Sequence, residues 1–368
     1  MAADLEQVAA SGFSGSYDPA DVTFLLKPVT MVPTAVADKE AAIQSGRRHY
    51  SEMIAPEPLP DAEYLALYHA ALARNGARLA QDVANLAACL AERRPGREIV
   101  LVSLARAGTP IGVLLARTLR AWGHSAVHYS VSIIRDRGID QAALAHIAAR
   151  HDPRDAVFVD GWTGKGAIAG ELRASLAANA LGFVPELAVI ADPAGQADIA
   201  ATDDDYLIAS GLLNGIVSGL VSRSILNPQY VGKGDFHACV TYPHYAHADV
   251  SRAFVDSIAP LAATATPLSI TGHAVRRGGL TAGCEAMLEW LLAGSAEGDR
   301  NRIKPGIAEA TRALLRRVPE RLLVRDPSDG DVAHLLHLAA RHGIPVERLD
   351  KQSQYRAVAI IRGLGNES

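Results

Sequence analysis

The sequence predicts an α/β fold: a parallel sheet with helices on both faces, followed by a small C-terminal α/β unit. Three features lead there. Between residues 98 and 192 the runs EIVLVSLA, AVHYSVSII, AVFVDGW and ELAVIAD have strand length and composition and are separated by helix-length segments. That alternation produces parallel strands joined by right-handed crossovers. Two of these strands run into turns of small residues that open helices, ARAGTP and GWTGKG. From 321 a shorter strand–helix–strand pattern follows, RLLVRDP, DVAHLLHLAARHG and IPVERL, with YRAVAIIRG after it.

The other elements can be justified in chain order. Residues 14–28 are a turn-rich lead into an apolar run, and 35–55 carry a helical pattern that Pro56, Pro58 and Pro60 end. A long helix is predicted over 61–93. Asp61 stands at its N-cap, and Tyr64, Leu67, Leu72, Leu79, Val83, Leu86 and Leu90 recur at helical spacing. Further helices are expected over 108–122, with Pro110 in the first turn, and over 165–178. Residues 200–300 read as irregular and rich in Gly, Ser and His. Within them the uncharged stretch 206–222 carries Asn214 and several Gly and Ser, so it reads as buried strand and turn rather than a membrane span. The resulting division is an N-terminal helical extension over 1–97, a main domain over 98–300 with a pocket-forming insertion, a connecting helix over 301–320 and a C-terminal domain over 321–368.

Composition narrows the class. At 49% hydrophobic and 21% charged residues the chain can bury a sizeable core. A net charge of −4 supplies no global field for nucleic acid. RNA contact would have to rest on a local patch such as Arg312, Arg316, Arg317 and Arg321. Cys89, Cys239 and Cys284 form no CxxC pair, which argues against a zinc ribbon or thioredoxin-type site and fits a reducing cytoplasm. The opening MAADLEQVAASG lacks the basic and apolar regions of a signal peptide. A cytoplasmic protein without membrane contact, assembling as a homo-oligomer, is expected.

Four segments carry chemistry. In VFVDGWTGKGAIAGEL a buried strand ends in Asp160 and a Gly-rich turn opens a helix, aiming backbone N–H groups and a helix dipole at one point, as suits a phosphate. It is not a Walker A loop, since Val159 stands where a glycine is needed and Gly166 where Ser or Thr is needed. In VSLARAGTPIGVLLAR, one strand–helix unit upstream, Arg106 could pair with two phosphate oxygens. SIIRDRGID lies between the two, with Arg135 and Arg137 able to neutralise anionic charge. GKGDFHACVTYPHYAHADVSR leaves three readings open. These are a thiol nucleophile at Cys239 with His237 as base, a metal site from His237, His244 and His247, and a polar loop in which Asp235, His237 and Cys239 line the substrate pocket.

SGSYDPADVTFLLKP, QSGRRHYSEM, LARAGTPIG, VFVDGWTGKG, DFHACVTY and KPGIAEATRALLRRVP together resemble the phosphoribosyltransferase-like proteins of bacterial tellurite-resistance and stress gene clusters. Some of these carry the name of a StiP-type cysteine protease domain. LLVRDPSDGDVAHLLHLAARHGIPVERL with YRAVAIIRG resembles the Pelota-type RNA-binding domain fused in that family. The resemblance implies a type I phosphoribosyltransferase-like sheet that uses phosphoribosyl pyrophosphate with Mg²⁺ to ribosylate a small acceptor. On that reading Thr163, Gly164, Lys165 and Gly166 hold the 5-phosphate, and Asp160 meets the ribose hydroxyls directly or through the metal. Ala105, Arg106, Ala107 and Gly108 hold pyrophosphate, and Arg135 and Arg137 sit on a flap over it. Gly161 departs from the pattern, because many members carry a second acid there. That departure keeps a ligand-binding regulatory protein with an RNA contact as the alternative, beside a cysteine hydrolase centred on Cys239.

Overall fold

The structure is a computed structural model and describes residues 12–293 and 299–362; the segment MAADLEQVAAS considered above lies outside the described residues. Strands β1 (Thr23–Leu25), β3 (Ile99–Ala105), β4 (Ala126–Ile134), β6 (Ala156–Trp162), β7 (Leu187–Ala191) and β8 (Ile199–Thr202) form one sheet in the order β1-β4-β3-β6-β7-β8. Every neighbouring pair on that path is parallel. β5 (Gly138–Ile139) folds back antiparallel on β4, and β2 (Lys27–Pro28) pairs with β9 (Ala238–Cys239) beside the main sheet.

Burial on both faces explains why the central strands read as unbroken apolar runs. Side chains alternate along β3: Ile99 and Leu101 enter one apolar cluster, Val100, Val102 and Leu104 the other. The first cluster holds α2 (Ala62–Arg93), α3 (Gly108–Ala121) and α6 (Ser251–Thr264); the second holds α4 (Gln141–Ala148) and α5 (Ala167–Ala177). α2 begins where its cap predicts, with Asp61 Oδ1 accepting from the Tyr64 N–H at 2.8 Å. It ends at Arg94, whose guanidinium donates to the carbonyls of Asp155 and Ala156 (both 3.0 Å) and pairs with Glu186 at 2.7 Å. That anchors α2 at the edge where β6 and β7 begin.

The C-terminal unit is a four-stranded sheet, β10 (Ile303–Pro305), β11 (Pro319–Val324), β12 (Val346–Arg348) and β13 (Ala357–Ile361), ordered β10-β13-β11-β12, with α8 (Ile307–Arg316) and α9 (Ala333–His342). β11 and β12 are parallel, as the strand–helix–strand pattern requires. Ile307, Leu314, Leu322, Val324 and Leu335 share the apolar cluster of α2, so no solvent layer separates this unit from the main sheet.

Three sequence readings change. The stretch 302–320 is not one helix, because Gly306 at φ 90° ends β10 before α8 starts and Pro319 begins β11. In 35–55 only α1 (Val36–Gln44) is α-helical. The irregular region 200–300 contains α6 and α7 (Gly272–Ala293), while 206–222 packs as buried turns, with 3-10 segments at Ala209–Leu212 and Gly215–Val217. Among the described residues no helix is long and apolar enough to cross a membrane.

Candidate functional site

Because β3 and β6 are parallel neighbours, the turns after them leave the sheet at the same edge. At that edge a cleft of about 1090 Å³ opens between the loop after β6, the segment 36–58 and the C-terminal unit. Asp160, Thr163, Gly164, Lys165 and Gly166 all line it, as does Arg135 with Arg137.

The loop is fixed from behind. Thr163 donates its hydroxyl hydrogen to Asp192, a buried carboxylate that is also bonded to His273 Nε2 and to the N–H groups of Gln196 and Ala197, each at 2.9 Å. The Tyr355 hydroxyl donates to the Gly164 carbonyl at 2.8 Å, tying the loop to the C-terminal unit. Gly166 sits at φ 85° immediately before α5 and a Cβ there would meet the Gln196 side chain at 2.6 Å, so the turn needs glycine. Lys165 donates to the carbonyls of Arg300 and Ile303. Burial, and then the neighbouring Lys304, pull its ammonium down to about 8. Burial pushes the Asp160 carboxyl up to about 6 against the opposing charge of Arg312, while its Oδ1 accepts from the Gly161 N–H at 2.8 Å. Arg135 contacts Asp136 at 3.3 Å and Asn301 at 3.2 Å, and Arg137 contacts Glu52 at 3.3 Å.

The loop after β3 does not line the cleft. Arg106 is buried, forks onto Glu57 at 2.6 and 2.9 Å, and donates to the Val221 carbonyl at 2.8 Å. Its charge is paired with Glu57 and three of its five N–H donors are taken, and Ala105, Ala107 and Gly108 likewise do not line the cleft. Gly108 is packed so tightly that a Cβ would lie 2.2 Å from the Val159 carbonyl oxygen.

Asp235, His237 and Cys239 do not line the cleft either. Pairing of β9 with β2 draws them to the flank of the sheet. Asp235 is bridged to Lys27 at 2.7 Å. His237 Nδ1 lies 2.7 Å from Ser132 Oγ, and its backbone N–H donates to Asp140 Oδ2 at 2.6 Å. Burial pulls the His237 imidazole below its usual range. Cys239 is fully buried within the apolar cluster, and that burial pushes its thiol far up. Among the described residues no group of His, Cys, Asp and Glu gathers to hold a metal, so His237, His244 and His247 do not converge.

The sequence reading missed Glu57, which captures Arg106, and the cations Lys39, Arg223 and Lys304 that share the cleft wall with Arg316. Only the arginine run at 312–317 carried a signal, and it was assigned to an RNA patch.

Comparison with known proteins corrects the functional expectation. The Cysteine protease StiP of Acinetobacter baylyi is 43% identical over 372 residues, spanning 98% of this chain and 97% of its own. A hypoxanthine phosphoribosyltransferase from Trypanosoma cruzi covers 48% of this chain and 85% of its own at 12% identity with a TM-score of 0.27, a likeness too loose to bear on activity. Near full-length kinship to a protein named as a cysteine protease overturns the reading of the chain as a phosphoribosyltransferase using phosphoribosyl pyrophosphate. A model of the PELOTA RNA binding domain matches residues 289–363. The family model of the tellurite-like stress resistance cysteine protease StiP matches residues 15–259, and with the full-length relative it makes this chain a member of the StiP family.

Proposed function

We propose that this chain is a cysteine-dependent peptidase with Cys239 as its nucleophile. The observation that carries the reading is 43% identity, across 98% of the chain, to a relative named Cysteine protease StiP. The choice of thiol follows from two constraints. The family model spans residues 15–259, which contain Cys89 and Cys239 but not Cys284. Cys89 lies on α2 near Arg93 and Glu186, at the edge where the strands begin. Cys239 lies toward the opposite edge, where open α/β sheets place their sites: His237, just before the same strand, reaches Ser132 near the end of β4, and Arg106 after β3 reaches Val221, which bridges to Thr241.

In the described arrangement the thiol is protonated and sealed, so cleavage requires the segment around β9 to lift and admit water and peptide. His237 is held neutral by burial, the state of a general base. It would accept the thiol proton as sulfur attacks the peptide carbonyl, and return it to the departing amine as the C–N bond breaks. Water then hydrolyses the thioester. The PELOTA match supports an RNA contact through the C-terminal unit, which filter binding across a salt series tests.

The decisive experiment incubates the full chain with a proteome-derived peptide library and identifies new termini by mass spectrometry. Cys239→Ala is expected to abolish cleavage and Cys89→Ala to preserve it. Cleavage that persists in folded Cys239→Ala protein would overturn the assignment.

A further inference from the structure

β9 is only two residues long, Ala238–Cys239, yet Cys239 is wholly out of water. Two neighbours hold this short strand. On one edge Lys27 and Val29 donate their N–H groups to the carbonyls of His237 (2.9 Å) and Cys239 (2.8 Å). On the other edge Ile225 and Ala238 exchange N–H to carbonyl bonds, both at 2.8 Å, and the Ser222 N–H donates to the Val240 carbonyl at 2.8 Å. Ladders of so few bonds do not persist unaided.

What joins the two edges is the segment 29–58. It leaves β2, runs out through α1 and returns through a 3-10 turn at Tyr50–Glu52, and a bond from the Thr34 N–H to the Ile54 carbonyl (2.7 Å) closes its neck. Its return limb is pinned to the second edge. Leu226 donates its N–H to the Ser51 carbonyl and Asn227 its amide to the Glu52 carbonyl, both at 3.0 Å, while Arg223 donates to the carbonyls of Tyr50 and Met53. Glu57 then takes the fork of Arg106 and the Gly215 N–H at 3.2 Å. Ile54 packs on Ile225 and Ala238, with Val29, Met31 and Val240 beside them, in a cluster separate from the two that flank the main sheet. One continuous strap therefore grips β9 from both edges.

The strap is attached unlike the rest of the chain. Between residues 30 and 49, Glu40 and Ala42 are the only described side chains that are buried, so the outer part has little apolar contact to lose. Its hold rests on the polar pins along 50–57, and hydrogen bonds to carbonyls exchange for water at a small net cost. A segment tied down in this way opens well below the free energy of global unfolding. We propose that residues 29–58 are an autoinhibitory strap: latched across β9 by Arg223 and Asn227 it keeps Cys239 closed to substrate, and its release admits the peptide. The consequence for activity rests on the peptidase reading and deepens it, because it assigns the opening step to the strap; the latch itself concerns only access to the thiol.

The test reads the two buried thiols of the full chain separately. Iodoacetamide is added under native conditions, and alkylation of Cys239 and Cys284 is followed by mass spectrometry in the parent, Arg223→Met, Asn227→Ala and Arg325→Gln. Cys284 lies in the cluster shared by α7 and the C-terminal sheet, outside the strap, so it reports global unfolding. Arg223→Met keeps the apolar stem and removes the bonds to the strap. Because alkylation follows the open population, Cys239 should react about tenfold faster or more in Arg223→Met, and faster by a smaller factor in Asn227→Ala, with Cys284 unchanged. Arg325→Gln, which loses a bond to the Ser353 carbonyl outside the strap, should leave Cys239 at the parent rate. Cys239 at the parent rate in both strap variants, or Cys239 and Cys284 accelerating together, would overturn the latch. Peptide cleavage is scored in parallel, and both strap variants should exceed the parent. Cleavage unchanged beside faster alkylation would overturn the autoinhibition. Faster alkylation with no cleavage in any protein would sink the peptidase reading and leave the latch standing.

Discussion

Asp160 shows how a single residue can be legible in chemistry while its surroundings stay hidden. An acid closing a buried strand before a Gly-rich turn was visible in VFVDGWTGKG, and the residue does line the cleft. What spacing could not reveal is its surroundings: burial lifts its carboxyl from 3.8 to about 6, with Arg312 the main opposing charge. The partner of Arg106 is hidden for the same reason, because Glu57 lies 49 positions away and no local pattern links them. The raised Asp160 carboxyl has a consequence for stability. Between about pH 4 and pH 6 the folded chain keeps a proton that the unfolded chain has released, so this residue makes stability fall as pH rises through that window. Below it both states are protonated and the contribution vanishes. Asp160→Asn is therefore expected to be more stable than the parent at pH 7.5, by up to about 3 kcal/mol, and no more stable at pH 3.5. Urea denaturation at the two pH values checks this, and a difference that does not change with pH would refute it. Gly108→Ala makes a simpler case. With a Val159 oxygen 2.2 Å from the new Cβ, either β6 or α3 must shift, at a cost of about 1–3 kcal/mol by the same measurement.

At the scale of elements, the sequence was readable where local and tertiary preferences agree. β3 and β6 are apolar runs buried on both faces, and α2 has its cap and a continuous apolar stripe. α7 was not readable, because Gly272, Gly278, Gly279 and Gly283 weaken its intrinsic propensity and few of its side chains are buried. Tertiary bonds hold it instead: His273 to Asp192 at 2.9 Å, Arg277 to Asp198 at 3.1 Å, Thr281 to the Gly195 carbonyl at 3.1 Å. Asp140 performs a related task for two elements at once. Its Oδ1 accepts from the N–H groups of Ala142 and Ala143, capping α4, while its Oδ2 takes the His237 N–H and positions the chain entering β9. Asp140→Ala removes a cap and leaves a buried N–H without a partner. It should cost about 2–4 kcal/mol, and it should also speed alkylation of Cys239 by iodoacetamide, because β9 loses its tether to α4. Destabilisation with the thiol still fully protected would show that β9 is held by its pairing with β2 alone.

For the whole molecule, the question is whether the C-terminal unit, which the sequence presents as a separable strand–helix–strand module, behaves as one. Its boundary was legible as a pattern, but its attachment was not, since the contacts join residues more than a hundred positions apart. Asp331 is the centre of that attachment. Its Oδ1 accepts from Asn75 of α2 at 2.8 Å, and its Oδ2 meets Arg356 at 3.0 Å and the Leu207 N–H at 3.3 Å, all in a nearly dry setting. Asp205 adds a second tie by accepting from the N–H groups of Ile307 (3.0 Å) and Arg356 (2.9 Å). Beneath both, the apolar cluster of α2 continues into α8, β11 and α9 without interruption. A core shared in this way cannot lose one half and leave the other solvated at no cost, so the chain is expected to unfold in a single calorimetric transition. Asp331→Ala removes one of the three carboxylates around the half-buried Arg356 and a partner from the buried Asn75 amide, and should cost about 1–3 kcal/mol. If the two bodies are one cooperative unit, the whole transition moves down and stays single. If the parent already melts in two steps, or if Asp331→Ala splits off an early transition of about the size of the C-terminal unit, the attachment is a docking contact, and the cleft between the two bodies would then open and close with it.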